Sequence, residues 1–287
     1  MLTRPAITDE LLSQIRQAIG DNPGWGRRRI SIYLCELWGW RMPNGQVKDI
    51  SCRDMLRALD KAGKIELPAP AQAPGPQSRR KAAHKEHDER AVECSLAELR
   101  PLRIEIAERG EMLADFKSFI EQYHYLGYDR TVGENMKYIV HSKGGAPLAC
   151  LLFGSAAWKC RDRDAFIGWG QEQRASGLMM MTNNTRFLVM PFVRVPHLAS
   201  HILALVSRRI SGDWQAKYGH GLAALETFVE TGRFRGTCYR AANWICVGRT
   251  AGRGRNDRLH EQALPEKDIY LLPLTRRWRQ TLSAGLH

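Results

Sequence analysis

The chain has no pair of cysteines at the C-x-x-C spacing that a zinc site needs; its seven cysteines are scattered and odd in number. No set of metal ligands is expected from the sequence. Cysteines dispersed among apolar neighbours read as buried free thiols of a reducing compartment. At 287 residues the chain is too long for a small disulfide scaffold. Long hydrophobic runs are missing too: the longest charge-free apolar stretch, Ala146 to Trp158, is too short to span a bilayer and contains Gly154 and Ser155. No apolar signal-peptide core follows the first four residues, so the expectation is a cytoplasmic protein with no membrane partner. The largest shortage is of acid. Asp and Glu number 30 against 43 Lys and Arg, a net charge of +13, which makes a polyanion such as DNA the expected partner.

That charge is unevenly spread. Residues 1–90 carry 16 cations and 11 acids, 91–230 carry 16 and 15, and 231–287 carry 11 and 4. Both ends are basic and the middle is neutral, so the ends argue for the partner and any chemistry belongs in the middle. Composition divides the chain further. Residues 67–91, a proline-rich stretch followed by a charged run, read as a linker with nothing to bury. They separate a module over 1–66 from a larger one over 92–250, and 251–287 forms a basic C-terminal segment.

The first module reads as three short helices. Thr8 caps a helix bearing Leu11, Leu12, Ile15 and Ile19, a second covers Arg28 to Trp38, and a third opens at Ser51 with a capping box to Asp54. On the third, Met55, Leu56 and Leu59 share one face, whereas Arg53, Arg57 and Lys61 recur every four residues on another. With Lys61 to Pro68 as turn and strand, this is a winged-helix-like plan whose basic helix enters the major groove.

The larger module alternates elements. Strands are expected near Leu102–Ile106, Met136–Val140, Pro147–Phe153, Arg186–Met190, Leu222–Glu230 and Trp244–Gly248. Helices are expected over Met112–Gln122, Leu198–Tyr218 and Thr237–Asn243. The fold class is α/β, a mixed sheet with helices on its faces. This order resembles the GNAT acyltransferase fold, in which a strand, a loop and a long helix hold the pyrophosphate of acyl-CoA. The resemblance implies Arg194, Ala199 and Ser200 as cofactor-binding residues. Pro196 and His197, however, stand where the fold family carries a glycine-bearing loop, and a side chain there crowds a phosphate. The cofactor is therefore left unassigned.

Six segments carry a closer resemblance: Tyr123–Tyr128, Leu151–Cys160, Asn183–Pro191, Val195–His201, Phe234–Trp244 and Gly252–Arg258. Over 115–275 they resemble the DruA family of the Druantia anti-phage systems, whose genes also occur near transposons. The resemblance implies phage defence or mobile-element biology, with other defence-system proteins as partners. The turn His124-Tyr125-x-Gly127, Arg186 on its strand, and Glu230 followed by Tyr239 and Asn243-Trp244 are in addition similar to the GNAT-like phage Mom-type proteins. That similarity implies modification of adenine in DNA and nominates His124, Tyr125, Arg186, Glu230 and Tyr239 as catalytic residues.

Residue chemistry supplies its own nominees. Alternation along Leu222–Glu230 sets Glu226 and Glu230 on one face about 13 Å apart, too far to share a proton. A carboxylate inside an apolar strand is costly unless paired or used, so Glu226 is either catalytic or ion-paired, with Arg186 as its expected partner. His124 is read as a general base, because imidazole titrates near neutral pH. Arg233, Arg235, Arg240, Arg253, Arg255 and Arg258 are expected to grip phosphates, with Tyr239 and Trp244 as base-stacking surfaces. Arg53, Arg57 and Lys61 are the nucleic-acid residues of the first module. Three functions stay open: a DNA-acting defence protein that modifies an unpaired or flipped base, a non-enzymatic DNA-binding or transposition scaffold, and a nuclease assembled from Asp129, Glu226 and Glu230.

Overall fold

A computed structural model describes residues 5–42, 45–69, 82–129, 131–252 and 265–285. The chain divides into two compact units, Met1–Ser78 and Arg79–His287. The first contains α1 (Asp9–Gly20), α2 (Arg27–Leu37) and α3 (Asp49–Lys61). Thr8 accepts a hydrogen bond from the Leu11 amide at 3.2 Å, satisfying one of the unpaired donors that open α1. Leu11, Leu12 and Ile15 then close on Ile30, Leu34, Met55, Leu56 and Leu59.

Two expectations for this unit are corrected. α3 begins before Ser51, which lies inside the helix. A lone bridge between Arg41 and Val47 and a bond from the Lys48 amide to the Trp40 carbonyl deliver the chain into the helix earlier, with Asp49 at the positive end of its dipole. The wing strand is also not formed. Ile65 and Leu67 instead plug the helical core, and side chains take up the backbone groups of that stretch: Arg16 donates to the Lys64 carbonyl at 2.7 Å, Arg27 to the Pro68 carbonyl at 2.7 Å, and the Leu67 amide reaches Asp60 at 3.0 Å.

The larger unit runs α4 (Leu96–Leu99), β1 (Arg103–Ile106), α5 (Gly110–Tyr123), β2 (Met136–His141), β3 (Pro147–Ser155), α6 (Arg161–Ile167), α7 (Gln171–Gly177), β4 (Met181–Val189), α8 (Leu198–Tyr218), β5 (Ala224–Glu230), α9 (Thr237–Ala241), β6 (Ile245–Arg249), β7 (Lys267–Pro273) and α10 (Trp278–Ala284). The strands form one mixed sheet in the order β1-β2-β3-β4-β5-β7-β6, as the α/β class requires. Neighbours are antiparallel except β4 and β5, which the long helix α8 joins in parallel. α5 and α8 cover one face, where Phe116, Ile202, Val206 and Trp214 pack on Leu151 and Leu225. Alternation sends Ala224 and Leu271 to the opposite face, under Ile167, Trp169, Trp278 and Leu282.

Residues 82–91 are not an idle linker. The Lys85 amide donates to Ser118 on α5 at 3.0 Å, Gln122 donates to the Lys85 carbonyl at 2.9 Å, and His87 stacks on Phe119 with ring centroids 3.9 Å apart. Nor is 251–287 merely a basic segment, since β7 enters the sheet between β5 and β6 with Ile269, Tyr270 and Leu271 buried.

Candidate active site

The sheet opens at its centre. β4 and β5 pair only from Met181–Ala224 to Asn183–Glu226, after which they diverge. Just there, the register of β3 against β4 slips, so that Leu152 faces Arg186 and Phe153 faces Asn184, leaving Thr185 as a bulge. A bulge re-aims the side chains around it. Asn184, 3% exposed, donates from Nδ2 to the Leu152 and Arg186 carbonyls, and its Oδ1 accepts from the Tyr239 hydroxyl at 2.8 Å. Thr227 on β5 closes the base of the split with a bond to the Asn184 carbonyl at 2.9 Å.

Above this point lies a cavity of about 880 Å³. His124, Tyr125, Arg186, Glu230, Arg235 and Tyr239 all line it, so five of the six nominated catalytic residues meet in one place. Arg186 holds the turn after α5 in position by donating from Nε to the Gly127 carbonyl at 3.1 Å. Tyr239 hangs from α9, whose N-cap Gly236 has φ 65° and leaves no room for a side chain, since a Cβ would sit 2.3 Å from the Tyr270 hydroxyl. Glu230 is the one acid among the described lining residues, against Arg186, Arg235 and Lys267. The cavity is therefore electropositive and suits an anionic ligand.

The electrostatics change the role of His124. Burial, and then the Arg186 charge, push its imidazole down to about 4, so it is neutral at pH 7. Its Nδ1 accepts the Leu126 amide at 3.2 Å, which assigns the proton to Nε2. A ring in that tautomer offers the cavity a donor. With Nδ1 accepting the Leu126 amide, the ring nitrogen left for the cavity is the protonated one, and Glu230 is the carboxylate among the described lining residues. Tyr125 is kept protonated by burial and by the Glu230 charge, and burial likewise pushes the Tyr239 hydroxyl well above the usual phenol range.

Other nominees lie elsewhere. Glu226 is wholly buried on the opposite face, where its Oε2 meets Arg163 at 2.7 Å and its Oε1 accepts the Ala157 amide at 2.6 Å. Its partner is Arg163 and not Arg186, and it does not touch the cavity. Asp129, Glu226 and Glu230 form no metal-binding group; among the described residues no three His, Cys, Asp or Glu are placed so that they could hold a metal ion. Trp244 and Tyr239 are 4% and 8% exposed, too buried to stack on bases. Arg240 reaches the Tyr270 hydroxyl at 3.3 Å, and Arg233 lies over the Tyr125 ring at 4.5 Å. Arg253, Arg255 and Arg258 lie outside the described residues. In the first unit Arg53 pairs with Asp49 at 3.0 Å and Arg57 with Asp54, so two cations of the stripe are neutralised on their own helix; Lys61 is exposed.

The start of α8 does not fit an acyl-CoA pyrophosphate. Arg194 is exposed and paired with Glu93 at 3.1 Å, Pro196 offers no N–H, and His197 takes the left-handed conformation, φ 63°, with a full side chain. Ala199 lines the cavity, but Ser200 spends its hydroxyl on the His197 carbonyl at 3.0 Å. Two participants escaped sequence reasoning. Arg163 carries no signal beyond its alternating-charge segment, whereas Phe234, 47% exposed at the cavity rim, is flanked in sequence by Arg233 and Arg235.

Among the described residues no helix is long and apolar enough to cross a membrane. No curated protein matches the chain in sequence. Among solved structures it is similar to the spermidine N-acetyltransferase of Vibrio cholerae in complex with CoA and spermine, at 7% identity and a TM-score of 0.41 over 60% of this chain and 95% of that one. It is also similar to a protein described as a phosphinothricin N-acetyltransferase, at 11% identity and a TM-score of 0.40 over 61% of this chain and 99% of that one. The family model of the Druantia protein DruA matches residues 59–263. That is well over half of the sequence, and the chain accordingly belongs to the DruA family of the Druantia defence systems.

Proposed function

We propose that the protein acts on DNA, drawing an unpaired base into the split between β4 and β5 and modifying it there by group transfer. The observation that carries this is the convergence of His124, Tyr125, Arg186, Glu230 and Tyr239 on one electropositive cavity. A base presents both donors and acceptors at its edge. Neutral His124 donates from Nε2 to a ring nitrogen or carbonyl, and Glu230 accepts the proton that the exocyclic amine gives up as it attacks an activated group donor, whose leaving group departs with the bonding electron pair; Tyr239, its hydroxyl committed to Asn184, holds the wall of the site. Arg186 and Lys267 stabilise negative charge that develops between them. Inside a stacked duplex the edge of a base is out of reach of such a site, so the target is single-stranded or extruded. Mass spectrometry of nucleosides from phage-challenged cells tests this: a modified nucleoside present with the wild type and absent with Glu230→Ala is expected, and its absence in both rules the chemistry out.

A second reading, a DNA-binding scaffold without chemistry, is favoured by the start of α8, where Glu93 occupies Arg194 and His197 replaces a glycine. It predicts salt-sensitive DNA binding and full phage resistance with Glu230→Ala.

A further inference from the structure

Six large apolar side chains of the larger unit are exposed among the described residues, and three of them, Tyr125, Leu126 and Phe234, rim the same cavity. Tyr125 is 41% and Phe234 47% exposed. Their rings touch, with centroids 5.5 Å apart and planes inclined at 57°, and His124 lies against Tyr125 at 4.9 Å. Aromatic surface left in water at a cavity mouth marks a contact site. Its neighbours state the sign of the occupant. Arg233 lies over the Tyr125 ring at 4.5 Å, and Arg235 lines the cavity and makes no ion pair with any described residue. An apolar peptide would leave Arg235 unmatched, and a small anion would leave the rings bare. A polynucleotide strand answers both, because its base faces are apolar and its phosphates recur at each step. Only an unpaired strand offers free base faces.

We propose that Tyr125 and Phe234 form a landing platform for an unpaired base of single-stranded DNA at the mouth of the cavity, with Arg233 and Arg235 meeting the flanking phosphates. This deepens, and rests on, the proposal that the cavity acts on DNA. Arg233 is 3.8 Å from Glu230, so a base laid on Tyr125 that displaces the guanidinium also frees the carboxylate facing the cavity. The platform thus couples arrival of the strand to exposure of the acid.

Phe234 is the residue to test, since it lies on the rim and takes no part in the proposed chemistry. Full-length protein is titrated into a single-stranded DNA oligonucleotide carrying 2-aminopurine, into the same sequence as duplex, and into the RNA equivalent. The expected result is quenching of 2-aminopurine in the single-stranded DNA. Phe234→Ala should weaken that binding about tenfold and remove the quench, whereas Phe234→Tyr restores both. Because Phe234 is exposed, the thermal midpoint of Phe234→Ala should equal that of the wild type, which separates lost stacking from lost fold. Binding of single-stranded DNA without quenching, or unaffected by Phe234→Ala, overturns the platform while leaving action on DNA standing. Tighter binding of duplex or of RNA overturns the commitment to single-stranded DNA. No binding of any nucleic acid sinks the platform and the proposed function together.

Discussion

His124 and Glu226 show how a residue's neighbours decide what its chemistry can be. His124 has an ordinary pKa of 6.5 and is pushed down to about 4 by burial and by Arg186. Between those values the unfolded chain binds a proton that the folded one does not, so the stability linked to this group is complete above pH 6.5 and is lost as the pH falls towards 4. Imidazole NMR should show a titration near pH 4 and an Nε2-protonated neutral ring, and a midpoint near 6.5 would refute the assignment. In activity, His124→Gln, which keeps an N–H in reach, should retain more function than His124→Ala. Glu226 poses the reverse problem: the sequence leaves it catalytic or ion-paired, and it is ion-paired with Arg163. Removing it leaves Arg163, which is 0% exposed, with Asp164 at 2.6 Å as its remaining carboxylate, so Glu226→Ala should cost about 3 kcal/mol in denaturant unfolding. The loss should appear as unfolding, with no change in the chemistry of whatever protein remains folded.

At the scale of elements, α9 is the piece that sets the hydroxyl of Tyr239 against Asn184, and its entry depends on Gly236. Gly236→Ala meets the Tyr270 ring and requires φ 65° from a residue with a Cβ, so a loss of about 2 kcal/mol or more is expected. Gly212 is the internal control: it is exposed within α8, a methyl added there would meet nothing within 4 Å, and Gly212→Ala should raise stability by about 0.5–1 kcal/mol. Thermal melts of the two variants should move in opposite directions. The elements legible in the sequence were those with a clean period. The apolar stripe of α8 places it at Leu198–Tyr218 in both sequence and structure, and the β2–β3 hairpin turns where Gly144 and Gly145 stand. α6 and α7 were not legible because they are one or two turns long and rich in charge, and their inward residues pack on a far strand and on α10. β7 was missed: its apolar run from Ile269 to Leu272 lies in a segment read only for its positive charge. The site was legible as a set of polar residues on core strands, and illegible in its pairings. Arg163 reaches Glu226 across 63 positions and Tyr239 reaches Asn184 across 55, distances at which no local pattern operates.

For the whole molecule, the proposed action on DNA asks which part of the +13 charge would meet the strand. Formal charge made the third helix of the first unit a natural candidate. Yet α3 holds Asp49, Asp54 and Asp60 beside its three cations, and Arg53 and Arg57 are bonded to the first two. Cations already engaged in this way gain less from a phosphate, since the bond to the carboxylate must first be given up. The rim of the cavity differs: Arg233 rests on an aromatic ring with only a long contact, 3.8 Å, to Glu230, Arg235 has no described ionic partner, and Arg186 and Lys267 stand behind them. Each phosphate contact to a single strand steepens the fall of log Kobs with log salt concentration by about 0.7. Arg233→Ala combined with Arg235→Ala in the full chain should therefore flatten that slope by about 1.4. Arg53→Ala combined with Arg57→Ala should change the slope by less than half as much. The opposite ranking, read from anisotropy titrations of one oligonucleotide at four salt concentrations, would move the nucleic-acid contact to the first unit and leave the cavity to a small anionic ligand.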